Sequence, residues 1–203
     1  MDVPASPYDI ALIPSEDLAQ LAIAASEDLA WLGTRFTLRD GQVFPHLSLY
    51  MANLREADID RVKEILANLA STFPSQQLTA AAYALNRGYI DVEYTNADTL
   101  DKLKMSVIHA INPLRDGLLD HDRSSLSELT GLALENVQTY GYKYVGKLAR
   151  PHMTFTRFVD ENAKHVGTLP DVHAFSGSFP KLGLFALGEN GTCIRKLAEW
   201  QLA

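Results

Sequence analysis

The sequence predicts an α+β protein with antiparallel-rich sheets. Apolar positions switch repeatedly between helical spacing and strand alternation. Helical patterns alternate with hairpins rather than with single parallel strands. The glycines agree: Gly183, Gly188 and Gly191 have neither the G-x-G-x-x-G nor the P-loop spacing, so they read as turn glycines and the doubly wound fold lacks its fingerprint.

Taken in order, Tyr8 to Ile13 is a short strand stopped by Pro14. Ser15 is placed to cap a helix whose first turn carries Glu16 and Asp17, favourable at a positive dipole end. Its stripe is Leu18, Leu21, Ala22, Ala25, Leu29 and Leu32. Arg35 to Leu54 reads as strands around the turn Asp40-Gly41. Ile59, Val62, Leu66 and Leu69 define a second helix, ended before Pro74. Gln77 to Tyr94 is a hairpin turned by Asn86-Arg87-Gly88.

Leu100, Leu103, Val107, Ile108 and Ile111 mark a third helix, ended at Asn112-Pro113. Leu114 to Arg123 is polar and reads as a loop. Ser125 and Glu128 have capping-box spacing and open a fourth helix running to about Gln138. Strand patterns return at Pro151 to Phe158, near His173 to Ser178, at Leu182 to Leu187 and at Thr192 to Trp200. The last two pair through Glu189-Asn190-Gly191.

At 203 residues and 47% hydrophobic, the chain fits one domain or two small lobes sharing a core. Residues 1–203 are read as a single bilobal domain. The one cysteine, Cys193, excludes an intrachain disulfide and a cysteine zinc cluster. It reads as a small core residue. No apolar run approaches the roughly 18 residues of a membrane span, and the N-terminus lacks a signal-peptide pattern. A soluble cytoplasmic protein with no membrane partner is the expectation. The formal charge of −7 argues against a duplex-DNA binder, which needs a basic face. No Gly-x-Ser-x-Gly nucleophile elbow is present.

Two segments match each other. Phe44-Pro45-His46-Leu47-Ser48-Leu49-Tyr50 and Arg150-Pro151-His152-Met153-Thr154-Phe155-Thr156 both read Pro-His-apolar-hydroxyl-apolar. On a strand, residues i and i+2 share a face. His46 therefore sits beside Ser48, and His152 beside Thr154. Two imidazole–hydroxyl pairs facing across a cleft would grip a phosphodiester from both sides. One neutral imidazole would take a proton from water while a charged one protonates the leaving oxygen. The donors would stabilise charge on the nonbridging oxygens.

The surroundings agree. Between Asn136 and Val159 there is no acidic residue, while Lys143, Lys147, Arg150 and Arg157 are basic. Such an island suits an anionic ligand. Tyr140, Tyr142 and Tyr144 lie in it, either to stack on a base or to pack a sheet. Arg150, Arg157, Tyr142 and Tyr144 are thus candidate substrate contacts. His109 reads as structural, and His165 and His173 as surface or packing residues. His121-Asp122 has a metal-phosphohydrolase dipeptide without the further ligands that class needs.

The paired motifs resemble those of the 2H phosphoesterase superfamily, which includes 2′-5′ RNA ligase-like proteins and cyclic nucleotide phosphodiesterases. The resemblance implies a bilobal α+β fold, two antiparallel-rich sheets with outer helices around a central cleft. It implies His46 and His152 as the catalytic pair and Ser48 and Thr154 as phosphate-binding residues. It also implies hydrolysis of a 2′,3′-cyclic nucleotide phosphate or a related RNA-end phosphodiester, with no cofactor or metal. A non-catalytic RNA-end or nucleotide-binding module and 2′-5′ ligation are the alternatives. The histidines stand 106 positions apart, farther than in compact members, and the excess falls between Pro113 and Tyr140. That insertion bears on what the cleft admits.

Overall fold

The computed structural model describes residues 5–95, 97–162 and 169–203. Residues 1–4, the predicted surface residue His165 and the side chain of His121 lie outside the described set.

The first strand, β1 (Ser6–Ile13), is followed by α1 (Glu16–Leu29), β2 (Leu47–Leu54) and α2 (Ile59–Ala70). Next come β3 (Gln76–Leu78), β4 (Ala80–Asn86), β5 (Tyr89–Tyr94) and α3 (Asp98–Ile111). The chain continues through α4 (Asp120–Ser125), α5 (Gly131–Tyr140) and β6 (His152–Arg157). It closes with β7 (Gly177–Phe179), β8 (Lys181–Leu187) and β9 (Cys193–Gln201). The strands form a four-stranded sheet in the order β2-β1-β8-β9, a three-stranded sheet β4-β5-β6 and a two-stranded ribbon β3-β7. All named pairings are antiparallel.

The helices follow their apolar stripes. Leu18, Ala22, Ala25 and Leu29 of α1 are buried, and this helix packs against β6 of the three-stranded sheet. Ile59, Val62 and Leu66 turn α2 toward β8 and β9, while α3 lies against α2 and β2. Leu12, Leu49, Leu66, Val92, Phe155 and Phe179 belong to one hydrophobic cluster, so both larger sheets contribute to the same core.

Several local expectations are corrected. Ser15 makes no side-chain cap; its backbone N–H donates to Ser178 and its carbonyl accepts from Ala19. The single helix expected from Ser125 is broken. Its predicted capping serine ends α4, and a 3-10 turn over Leu126–Glu128 leads to an extended Leu129 before α5 begins. The polar loop expected up to Arg123 therefore already contains α4. His173 lies in a 3-10 turn over Val172–Phe175 rather than a strand. Gly183 is not a turn glycine: it sits inside β8, where a Cβ would stand 2.5 Å from the Phe185 ring and 2.9 Å from Ile13. The hairpin glycine Gly88 is as predicted, with φ +81° and a would-be Cβ 2.9 Å from the Phe158 carbonyl.

Candidate functional site

His46 immediately precedes β2, and His152 opens β6. Each places its ring by the same local device. His46 Nδ1 lies 2.7 Å from the Phe44 carbonyl, and His152 Nδ1 lies 2.7 Å from the Arg150 carbonyl. A carbonyl only accepts, so Nδ1 carries the proton and Nε2 is the nitrogen left for chemistry. In both cases the acceptor lies two residues upstream, across the proline that both motifs share.

The strands repeat a second device. The β1–β2 register passes from Ile10 opposite Tyr50 to Ala11 opposite Ser48, leaving Leu49 as an extra residue. The β5–β6 register passes from Ile90 opposite Thr156 to Asp91 opposite Thr154, leaving Phe155 extra. The bulge falls three residues after the histidine in both motifs. Bulges bend a strand and re-aim its side chains, and they are common beside active sites.

Two carboxylates absent from the sequence-based expectation complete the arrangement. Ser48 Oγ donates to Asp9 Oδ2 at 2.6 Å, and Thr154 Oγ1 donates to Asp91 Oδ1 at 2.7 Å. Both aspartates are buried, on the strands that pair with the motif strands. The signal was present in the sequence. Tyr8-Asp9-Ile10-Ala11-Leu12-Ile13 and Tyr89-Ile90-Asp91-Val92 each hold one charge inside an apolar strand, and a buried charge calls for partners.

The two halves differ in how those charges are met. Arg150 donates to Asp91 Oδ2 at 2.6 Å and to Glu93 Oε1 at 2.5 Å. It is therefore held in an ion-paired network as well as lining the cavity. Among the described residues, no guanidinium bonds to Asp9. Its Oδ2 takes the Ser48 hydroxyl, with His46 Nε2 at 3.5 Å and Cys193 Sγ at 3.7 Å. Its Oδ1 has no hydrogen-bond partner among the described residues. Burial raises the Asp9 pKa, against the opposing pull of His46, Ser48, Cys193 and Lys104. Lys104 reaches from α3 to lie 5.5 Å from the centre of the Tyr142 ring, and burial lowers its pKa to about 8. His152 is lowered from the ordinary histidine value, first by burial and then by Arg150 and His46, while Asp91 and the Arg150 carbonyl oppose.

A raised carboxylate pKa has a stability consequence. Asp9 contributes stability below its unfolded value, and that contribution is lost as pH rises through the folded value. Asp9→Asn removes this loss. We expect its Tm to match wild type near pH 4 and to exceed it near pH 7, by about 2–4 °C for each kcal/mol relieved. Thermal melts across that range check this, and equal Tm at both pH values would refute it.

His46, Ser48, His152 and Thr154 line one open cavity of about 1180 Å³. Tyr142, Tyr144, Lys143, Arg150 and Arg157 line it too, so the expected substrate contacts do converge. The tyrosines are not strand residues. Tyr142 is buried edge-on between Tyr50 and Tyr144, and Tyr140 ends α5 near His109. Arg157 is shared with Glu161 and, at 3.0 Å, with Asn190. The segment between residues 113 and 140 forms another wall. Asn53 donates to the Leu118 carbonyl at 2.7 Å, tying the segment to β2, and Asp116, Asp120 and Arg123 face the cavity.

A mirrored pair of imidazole–hydroxyl–carboxylate units in one cleft is carried here on the fold of the 2H phosphoesterases. Escherichia coli LigT complexed with ATP superposes with a TM-score of 0.60 at 14% identity, over 98% of this chain and 99% of that one. TT0787 of Thermus thermophilus gives 0.61 at 17% identity, over 97% of each chain. A structure described only as a phosphoesterase gives 0.56 at 12% identity, over 98% of this chain and 99% of that one. By sequence, residues 49–174 match the family described as "Protein of unknown function (DUF1045)", and the chain belongs to that family. The match spans the second motif and begins within the first, just after Ser48. No curated protein matches the sequence. Among the described residues, no helix is long and apolar enough to cross a membrane.

Proposed function

We propose that this protein is a phosphoesterase that opens 2′,3′-cyclic nucleotide phosphates, or related RNA-end phosphodiesters, by acid–base catalysis between His46 and His152. The supporting observation is the duplicated geometry: two rings, each tied through Nδ1 to a carbonyl two residues upstream, in one cavity with a hydroxyl beside each. The LigT structures with ATP and 3′-AMP favour a nucleotide as the ligand class.

The asymmetry between the halves divides the roles. His152, held below the ordinary histidine value, is neutral at pH 7 and is the base. It takes a proton from water through Nε2, and the water oxygen attacks phosphorus. His46 is the acid, its Nε2 proton passing to the ribose oxygen as the P–O bond breaks. By family resemblance, the product keeps its phosphate on the 2′ oxygen. Protonated Asp9 would donate to Ser48 Oγ, turning the serine O–H toward a nonbridging oxygen. Raising the Asp9 pKa favours that arrangement.

The test is turnover of the four nucleoside 2′,3′-cyclic monophosphates in EDTA across a pH series. We expect turnover to persist in EDTA. The acid limb of kcat/KM should fall below pH 6.5, because the base must be neutral and its pKa is depressed. An acid limb well above pH 6.5 would overturn the assignment of His152 as base. Tight nucleotide binding without turnover would favour the binding-module alternative, and joining to a 5′-hydroxyl acceptor would favour ligation.

A further inference from the structure

We propose that Asp9, His46 and Cys193 form a binding site for a zinc-class divalent cation, and that occupancy withdraws His46 from catalysis. The three side chains come from β1, the residue just before β2 and the start of β9; β1 pairs with β2, and the bridge between Phe44 and Cys193 brings the start of β9 to the segment that carries His46. One ligand atom from each lies within 4.8 Å of the others, and all three residues are buried.

The separations fit tetrahedral coordination. Zinc bonds of about 2.0 Å to nitrogen or oxygen and about 2.3 Å to sulfur give N–O and O–S edges of roughly 3.3 and 3.5 Å. The observed edges are 3.5 Å from His46 Nε2 to Asp9 Oδ2 and 3.7 Å from Cys193 Sγ to the same oxygen. One nitrogen, one oxygen and one sulfur make the mixed donor set that zinc accepts. Three protein ligands leave a fourth position for water.

Two further observations point to a cation. The Nδ1–H of His46 is fixed on the Phe44 carbonyl, which directs the Nε2 lone pair outward, as metal-bound histidines require. Asp9 is fully buried, and its Oδ2, the oxygen that faces His46 Nε2 and Cys193 Sγ, carries no lysine or arginine ion pair among the described residues. The matching carboxylate of the other half shows what is missing: Asp91 meets the Arg150 guanidinium at 2.6 Å. The first half has a thiol and an imidazole where the second has a cation.

On binding, the Cys193 S–H proton, the Nε2 proton of a charged His46 and the proton of a protonated Asp9 pass to solvent as the metal–sulfur, metal–nitrogen and metal–oxygen bonds form. Nε2 then has no proton to deliver. The inhibitory consequence rests on the acid role proposed for His46; the binding does not.

The experiment uses the full chain, stripped of metal, with Co²⁺ as the optical probe and Zn²⁺ as competitor. We expect one Co²⁺ per chain, with the near-ultraviolet thiolate-to-cobalt charge-transfer band, displaced by Zn²⁺. Cys193→Ser should lose the band, bind at least about tenfold more weakly, and keep its metal-free turnover. Zn²⁺ should inhibit wild type at concentrations at least about tenfold below those needed for Cys193→Ser. Circular dichroism establishes that the variant is folded, and Cys193→Ala replaces it if not. Co²⁺ binding without the thiolate band, or an unchanged band in His46→Ala, overturns the site. A band that behaves as expected in a protein without cyclic phosphodiesterase turnover upholds the site and removes only the proposed reaction.

Discussion

Alanine at His46 or at His152 is expected to lower turnover of the cyclic substrate by about 10²–10⁴-fold, the range for loss of a positioned acid or base. The double variant should be little worse than the more damaging single variant. Both rings act in one transition state, and groups acting as a unit are not additive. The variants should also differ in their pH profiles. His152→Ala removes the acid limb, because the group that must be neutral is gone. His46→Ala keeps the acid limb, because the His152 base is intact. Neither change should unfold the protein, since each ring makes one local hydrogen bond and His46 adds only a 3.5 Å approach to Asp9. Kinetics on both single variants and the double variant check this. Undiminished turnover in either single variant would sink the proposed mechanism.

What was legible in the sequence follows the range of the forces involved. The motif strands, α1, α2, α3 and the β4–β5 hairpin were readable because their signals are local: apolar period, proline stops and a turn with residues that accept positive φ. Arg87 at φ 50° and Gly88 at φ 81° are such a turn. The pairing of His46 with Ser48 and of His152 with Thr154 was legible for the same reason, as neighbours on one strand face. The carboxylates were not. Asp9 lies 39 positions from Ser48 and Asp91 lies 63 from Thr154, so their contact is decided by strand pairing and by bulges at Leu49 and Phe155. The partners of Arg150 were hidden for that reason. In sequence it borders a basic stretch without an acidic neighbour, whereas in space it faces Asp91 and Glu93 on the adjacent strand. The break between α4 and α5 went unseen because capping-box spacing is also compatible with a short helix that stops.

Arg150→Met is expected to be the most destabilising single change among the site residues that do not take part in proton transfer. The Arg150 side chain is 25% exposed and Asp91 only 2%, so the variant leaves a carboxylate inside the protein without its counter-charge. Breaking a buried pair in this way costs about 3–5 kcal/mol. For a chain of this length that corresponds to a Tm lower by roughly 6–20 °C. Asp91→Asn in the same chain should restore much of the loss, since the stranded charge is then gone and the two positions are coupled. The single variant should also carry a kinetic signature. Arg150 lowers the His152 pKa while Asp91 raises it, so removing only the cation raises it. The acid limb of kcat/KM must then move to higher pH, a shift that simple loss of stability would not produce. Thermal melts of wild type, Arg150→Met and Arg150→Met/Asp91→Asn, with the pH profile of each folded variant, decide the matter. A Tm within a degree of wild type and an unmoved limb would leave Arg150 only the role of a substrate contact. The expected pattern would make it a positioning residue: it holds Asp91, which orients the Thr154 hydroxyl, and it keeps His152 neutral enough to accept a proton.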